Sequence, residues 1–112
     1  MTKEQKTQRL LNNFDLRLSW LFAPDKITIK ATDDGTRYTI KDALNGTIEL
    51  HARKGRAKNG TPPHLDIFGR FENGREYFKD ANQYTGKYNF FGLDKDGIDH
   101  YMNTVLTKLS TN

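Results

Sequence analysis

Two alternating stretches, 47–53 and 64–72, constrain this chain more than any other feature. In the first, Ile48, Leu50 and Ala52 alternate with Thr47, Glu49, His51 and Arg53. In the second, Leu65, Ile67, Gly69 and Phe71 alternate with His64, Asp66, Phe68, Arg70 and Glu72. A period of two belongs to a strand with one buried face, so both runs call for a sheet. Closing them as a hairpin with Arg53 opposite His64 sets His51 against Asp66, Glu49 against Phe68 and Thr47 against Arg70. The apolar parities then coincide, leaving one side a core and the other charged and aromatic.

The remaining elements follow from local signals. Thr2 and Gln5 fit a capping box, and Pro24 stops what begins there, which predicts a helix over about 2–22. Leu10, Leu11, Phe14, Leu18, Leu21 and Phe22 form its apolar stripe. Leu16 and Trp20 fall on roughly the opposite side. Either the helix end is buried on both sides, or these two residues form a dimer or partner surface.

Strands are expected at 27–31 and 36–41, joined through Asp33-Asp34-Gly35, with Ile29 facing Tyr38 and Ile27 facing Ile40. Asp42 breaks the alternation, so 41–44 reads as a bulge or a helical turn. Asn45-Gly46 and Asn73-Gly74 are tight-turn signals, followed by strands at 47–53 and 75–78. A loop over 79–86 and a last strand at 87–91 follow, with Tyr88 and Phe90 on the core parity and Asn89 and Phe91 on the other. Ile98, Tyr101, Met102, Val105, Leu106 and Leu109 then make a helical stripe capped by Asp94 or Asp96. The architecture expected is one α+β domain over 1–112. It is an antiparallel, twisted sheet of five or six strands with an N-terminal and a C-terminal helix on one face.

Composition narrows the chemistry. With no cysteine among 112 residues, disulfides, thiol catalysis and thiolate metal sites are excluded. A hydrophobic share of 35% and a mean hydropathy of −0.84 give no run of membrane-spanning length. The start of the chain lacks a signal-type apolar segment, so the expectation is a cytoplasmic protein with no membrane contact. Neither a phosphate-binding glycine loop nor a dinucleotide fingerprint occurs. The segment 92–97, with Asp94 and Asp96 before Gly97, imitates part of a calcium loop. It has Gly92 and Asn103 where carboxylates are needed, so helix capping explains it better.

A net charge of +4 favours polyanionic partners only mildly. Its distribution says more: Arg53, Lys54, Arg56 and Lys58 crowd a loop with Gly55, Gly60 and Pro62-Pro63 and no acid between. Such cations can hold phosphates, aided by Arg70, while Phe68 and an outward Phe91 stack bases. His51, His64 and Asp66 would share the same face, orienting the ligand. A His held by an Asp is also a general base, and two His with one Asp can hold a metal, so a small hydrolase is a further reading. No nucleophile motif accompanies them, and an ordinary solvated charge pair accounts for them equally.

The function expected is a non-enzymatic binding protein with no cofactor or metal, engaging nucleic acid, a nucleotide or another phosphate-bearing ligand. The alternative is a small protein-interaction or inhibitor module acting on a larger nucleic-acid enzyme through Leu16, Trp20 or the basic loop.

Overall fold

The computed structural model describes residues 2–43, 46–55, 62–71, 83–85 and 88–107. The chain opens with helix α1 (Lys3–Leu21), entered through the expected capping box. The Thr2 hydroxyl accepts from the Gln5 N–H at 3.1 Å, and the Gln5 side chain accepts from the Thr2 N–H at 2.8 Å. After a single 3₁₀ turn at Pro24–Lys26 come strands β1 (Ile27–Thr32), β2 (Gly35–Ala43), β3 (Gly46–Lys54), β4 (Leu65–Phe71), β5 (Gln83–Thr85) and β6 (Tyr88–Leu93). Helix α2 (Lys95–Tyr101) follows, its N-terminus capped by Asp94, which accepts from the Gly97 N–H at 2.8 Å. It widens into a π-helical turn over Met102–Leu106.

All strand pairs are antiparallel, in the order β1-β2-β3-β4-β6-β5. The architecture is therefore the expected α+β sheet with two helices on one face. The last two strands differ from expectation. Residues 83–85 form a strand where a loop was expected, and β6 lies between it and β4, so pairing there does not follow chain order. The strand expected at 75–78 lies outside the described residues, as does Leu109.

One hydrophobic cluster joins the layers. It holds Leu11, Phe14 and Leu18 from α1, Phe22 from the C-cap of that helix, and Tyr38, Ile40, Ile48, Leu50, Ala52, Leu65, Ile67 and Leu93 from the sheet. Ile98, Tyr101, Met102 and Leu106 complete it from the C-terminal helix. The Phe14 ring lies 5.7 Å from that of Tyr38 and 6.2 Å from that of Tyr101, so one side chain bridges sheet and second helix. Burial, and for Tyr38 also the nearby Asp15 carboxylate, pushes both phenols well above their usual range and keeps them protonated. Arg17 ties the helices by an ion pair with Asp99 and a 3.4 Å hydrogen bond to Asn103.

Leu16 is 51% exposed and Trp20 67%, so the helix end is not buried on both sides. Ile27 and Ile29 face Ile40 and Tyr38 as expected, yet Ile29 is 56% exposed. Helix α1 packs over β3 and β4 and reaches β2 through Phe14, while on β1 Ile27 packs against the core and Ile29 stays exposed.

Two backbone details follow from the ladders. Asp42 sits in the bulge between Ile40 and Ala43 with a φ of 56°, so the irregularity expected there is a bulge as far as Ala43; Leu44 lies outside the described residues. Gly35 is needed less for the turn than for β3: a Cβ there would lie 1.9 Å from the Ala52 carbonyl oxygen.

Candidate nucleic-acid interface

The face of the sheet away from the helices is built by the odd residues of β2 and β3 and the even residues of β4. The hairpin register differs from expectation by two residues. Arg53 is opposite Asp66, His51 opposite Phe68 and Glu49 opposite Arg70. The reason lies at the neck of the loop, where β3 continues through Lys54 opposite Leu65 and the Gly55 N–H donates to the His64 carbonyl at 2.9 Å. An even slip preserves both faces, so alternation could not detect it.

The slip separates the supposed His51, His64 and Asp66 cluster into two pairs. His64 stands at the neck, its Nε2 3.3 Å from an Asp66 oxygen and its Nδ1 2.9 Å from the Pro62 carbonyl. Its ring occupies the space beside Gly55, where a Cβ would come within 2.3 Å of it. The absence of a side chain at Gly55 is thus what makes room for the imidazole. His51 instead lies 3.5 Å from Asp34 and 3.3 Å from the Thr32 hydroxyl, both brought up by the β1–β2 turn. Among the described residues no set of three His, Asp or Glu side chains is placed to hold a metal ion.

Across the middle of this face runs a row of ladder partners: Lys30 on β1, Arg37 on β2, His51 on β3, Phe68 on β4 and, by backbone position, Phe90 on β6. The Arg53 guanidinium lies 4.5 Å from the centre of the Phe68 ring, a cation–π contact, and 3.8 Å from Asp34. Arg70 is 3.4 Å from Glu49. Arg37 is exposed and has no carboxylate partner within ion-pair distance among the described residues. Arg37, Thr39, Glu49, His51, Phe68 and Arg70 line a shallow hollow of about 450 Å³ over the centre of the sheet.

The electrostatics follow from this packing. Partial burial, then Arg37 and Arg53, hold His51 below its usual range, outweighing the opposing pull of Asp34. Partial desolvation would raise the Asp34 carboxyl. The Thr32 hydrogen bond, together with His51 and Arg53, outweighs that and leaves it lowered. At neutral pH the row presents an exposed cation, an uncharged imidazole and an aromatic ring side by side.

Several expected site residues fall elsewhere. Lys54 takes the parity of Leu50 and Ala52, the helix side of the sheet, so it does not join Arg53. The ladder reverses the parity expected in β6: Phe90 is the partner of Phe68, whereas Phe91 is the partner of the buried Ile67. Arg56 and Lys58 lie outside the described residues. Arg37 and Asp34 were not anticipated. Placing β2 beside β3 would have found Arg37, since its parity is opposite to that of Tyr38 and Ile40.

A larger hollow, about 780 Å³, runs between α1 and the start of α2. Lys6, Arg9 and Lys95 line it together with Asp94, Asp96 and Asp99, so its charges offset one another at the junction of the helices. Among the described residues no helix is long and apolar enough to cross a membrane. Comparisons with protein families, curated proteins and solved structures give no match to this chain.

Proposed function

We propose that this is a non-enzymatic binding protein that holds nucleic acid, in single-stranded form, on the outer sheet face. The observation that carries the reading is the row Arg37, His51 and Phe68 across three adjacent strands, with Arg53 stacked on the phenylalanine ring. An aromatic ring beside cations suits a strand whose bases are unpaired, because bases can stack on the ring while phosphates meet the guanidinium groups. Arg37 and Arg53 take the phosphates, with Arg70 on the same face, and Arg56 and Lys58, close to Arg53 in sequence, add further cations. Glu49 and Asp34 already neighbour two of these arginines, and such half-exposed pairs are weak enough to exchange for phosphate.

The test is fluorescence anisotropy of labelled single-stranded DNA, RNA and duplex at low and near-physiological salt. Saturable binding of single strands should persist at the higher salt. Arg37→Ala with Arg53→Ala should flatten the dependence on salt, because fewer phosphates are then neutralised and fewer counterions released on binding. Phe68→Ala should weaken single-strand binding by roughly tenfold to a hundredfold, the loss of one stacking platform. An unchanged salt slope in the double variant would sink the assignment.

A second reading has its own observation, the 67% exposure of Trp20 beside the 51% exposure of Leu16. On that reading α1 docks a protein partner, with Trp20 as the anchor and Arg17 5.7 Å from its ring. Loss of partner capture by Trp20→Ala, with nucleic-acid affinity unchanged, would select it.

A further inference from the structure

We infer that β1 is a self-pairing edge, and that a second copy of this chain adds to it antiparallel across a two-fold axis at Ile29. Backbone geometry alone carries this pairing, whatever ligand the outer face holds. Strands β1 and β2 are joined by the two-residue turn Asp33-Asp34, with Thr32 opposite Gly35. A turn of that length closes on a hydrogen-bonded pair, and such pairs alternate along an antiparallel ladder. Thr32, Lys30 and Thr28 therefore bond to β2, while the N–H and C=O groups of Ile27, Ile29 and Ala31 point outward from the sheet. The bond from the Lys54 N–H to the Asp34 carbonyl, 2.9 Å, fits the same alternation on the far side of β2.

An outward row needs a partner or water. Pairing about Ile29 sets Ile29 against the partner's Ile29, Ile27 against the partner's Ala31, and Ala31 against the partner's Ile27. All three are hydrogen-bonded positions, so every outward group in the strand is satisfied together. The side chains sort as well. Ile27, Ile29 and Ala31 share the helix side, where Ile29 is 56% exposed in the isolated chain, and they meet only apolar residues. On the outer side Lys30 falls opposite the partner's Thr28. Centring the pairing on Lys30 would place two lysines directly opposite, which is unfavourable. Among the described residues the opposite end of the sheet is β5, Gln83–Thr85, half the length of β1. The joined sheet would carry two rows of Arg37, His51 and Phe68 on one continuous face.

The experiment is sedimentation velocity on the full chain from low to high micromolar concentration, with site-specific cross-linking. The chain has no cysteine, so Ile29→Cys and Thr32→Cys each introduce a single thiol. In the Ile29-centred pairing the two Ile29 Cα atoms are about 5.5 Å apart. The two Thr32 positions are displaced by roughly 20 Å along the strands. A short thiol-to-thiol reagent should join Ile29→Cys and not Thr32→Cys. The wild-type chain should dimerise with rising concentration, and Ile29→Lys, at a position exposed in the monomer, should stay monomeric with an unchanged circular-dichroism spectrum. A wild-type chain monomeric throughout, equal cross-linking at both positions, or a dimer that survives Ile29→Lys would each overturn the inference. The last outcome would move the interface to Leu16 and Trp20.

Discussion

His51 carries the clearest pH signature in the molecule. Burial and the neighbouring Arg37 and Arg53 lower its folded pKa, whereas an unfolded histidine titrates near about 6.5. Between the two values the unfolded chain holds more protons, so stability rises with pH across that window. The contribution is fully present above about pH 6.5 and is lost as pH falls through the folded value. Urea unfolding at pH 7 and pH 5.5 should show a lower midpoint at the acidic pH, and His51→Gln should reduce the difference. A phosphate bound at Arg37 would act in the opposite sense, raising His51, so oligonucleotide binding should tighten as pH falls. Asp42 is the other residue whose conformation makes a prediction. At a φ of 56° a β-branched side chain is strained, so Asp42→Val should cost about 1–2 kcal/mol in urea unfolding. Asp42→Gly should be near neutral, its relief of strain offset by the entropy of a glycine.

Between elements, the tightest demand is the passage of the β1–β2 turn beside β3. With a Cβ at position 35 only 1.9 Å from the Ala52 carbonyl oxygen, Gly35→Ala cannot be relieved by turning a side chain. It must push β2 and β3 away from each other, and the expected loss is about 3 kcal/mol, at the upper end of overpacking. Chemical denaturation would measure it. A variant as stable as the wild type would mean that the two strands can separate freely at this point. Much of the element scale was legible beforehand. The α1 capping box, the Ile27–Ile40 and Ile29–Tyr38 pairs and the Asp94 cap are all set by residues close in sequence. The pairing of β6 with β4 was not legible, because nothing local to 83–93 says which earlier strand it will join.

For the molecule as a whole, Phe14 is the point where the layers meet. It is fully buried, between Tyr38 of the sheet and Tyr101 of α2. Phe14→Ala should cost about 3–5 kcal/mol and lower the thermal midpoint. Helix and aromatic circular-dichroism signals should be lost together rather than in two steps, since one cluster holds both. What the sequence determined by itself is the side of the sheet on which the described residues of β2, β3 and β4 lie. Parity is a property of neighbouring residues and survives any even slip, so Phe68, Arg70, Arg53 and His51 were assigned to a common outer face correctly. Only the tertiary structure decided which of them touch. The hairpin register, the approach of Asp34 to His51, the arrival of Arg37 in the row and the parity of Phe91 depend on chain segments that meet from a distance. Pairing energies between such segments leave no periodic trace in either one, which is why the three-residue His51, His64 and Asp66 cluster suggested by alternation separates into two pairs in the folded protein.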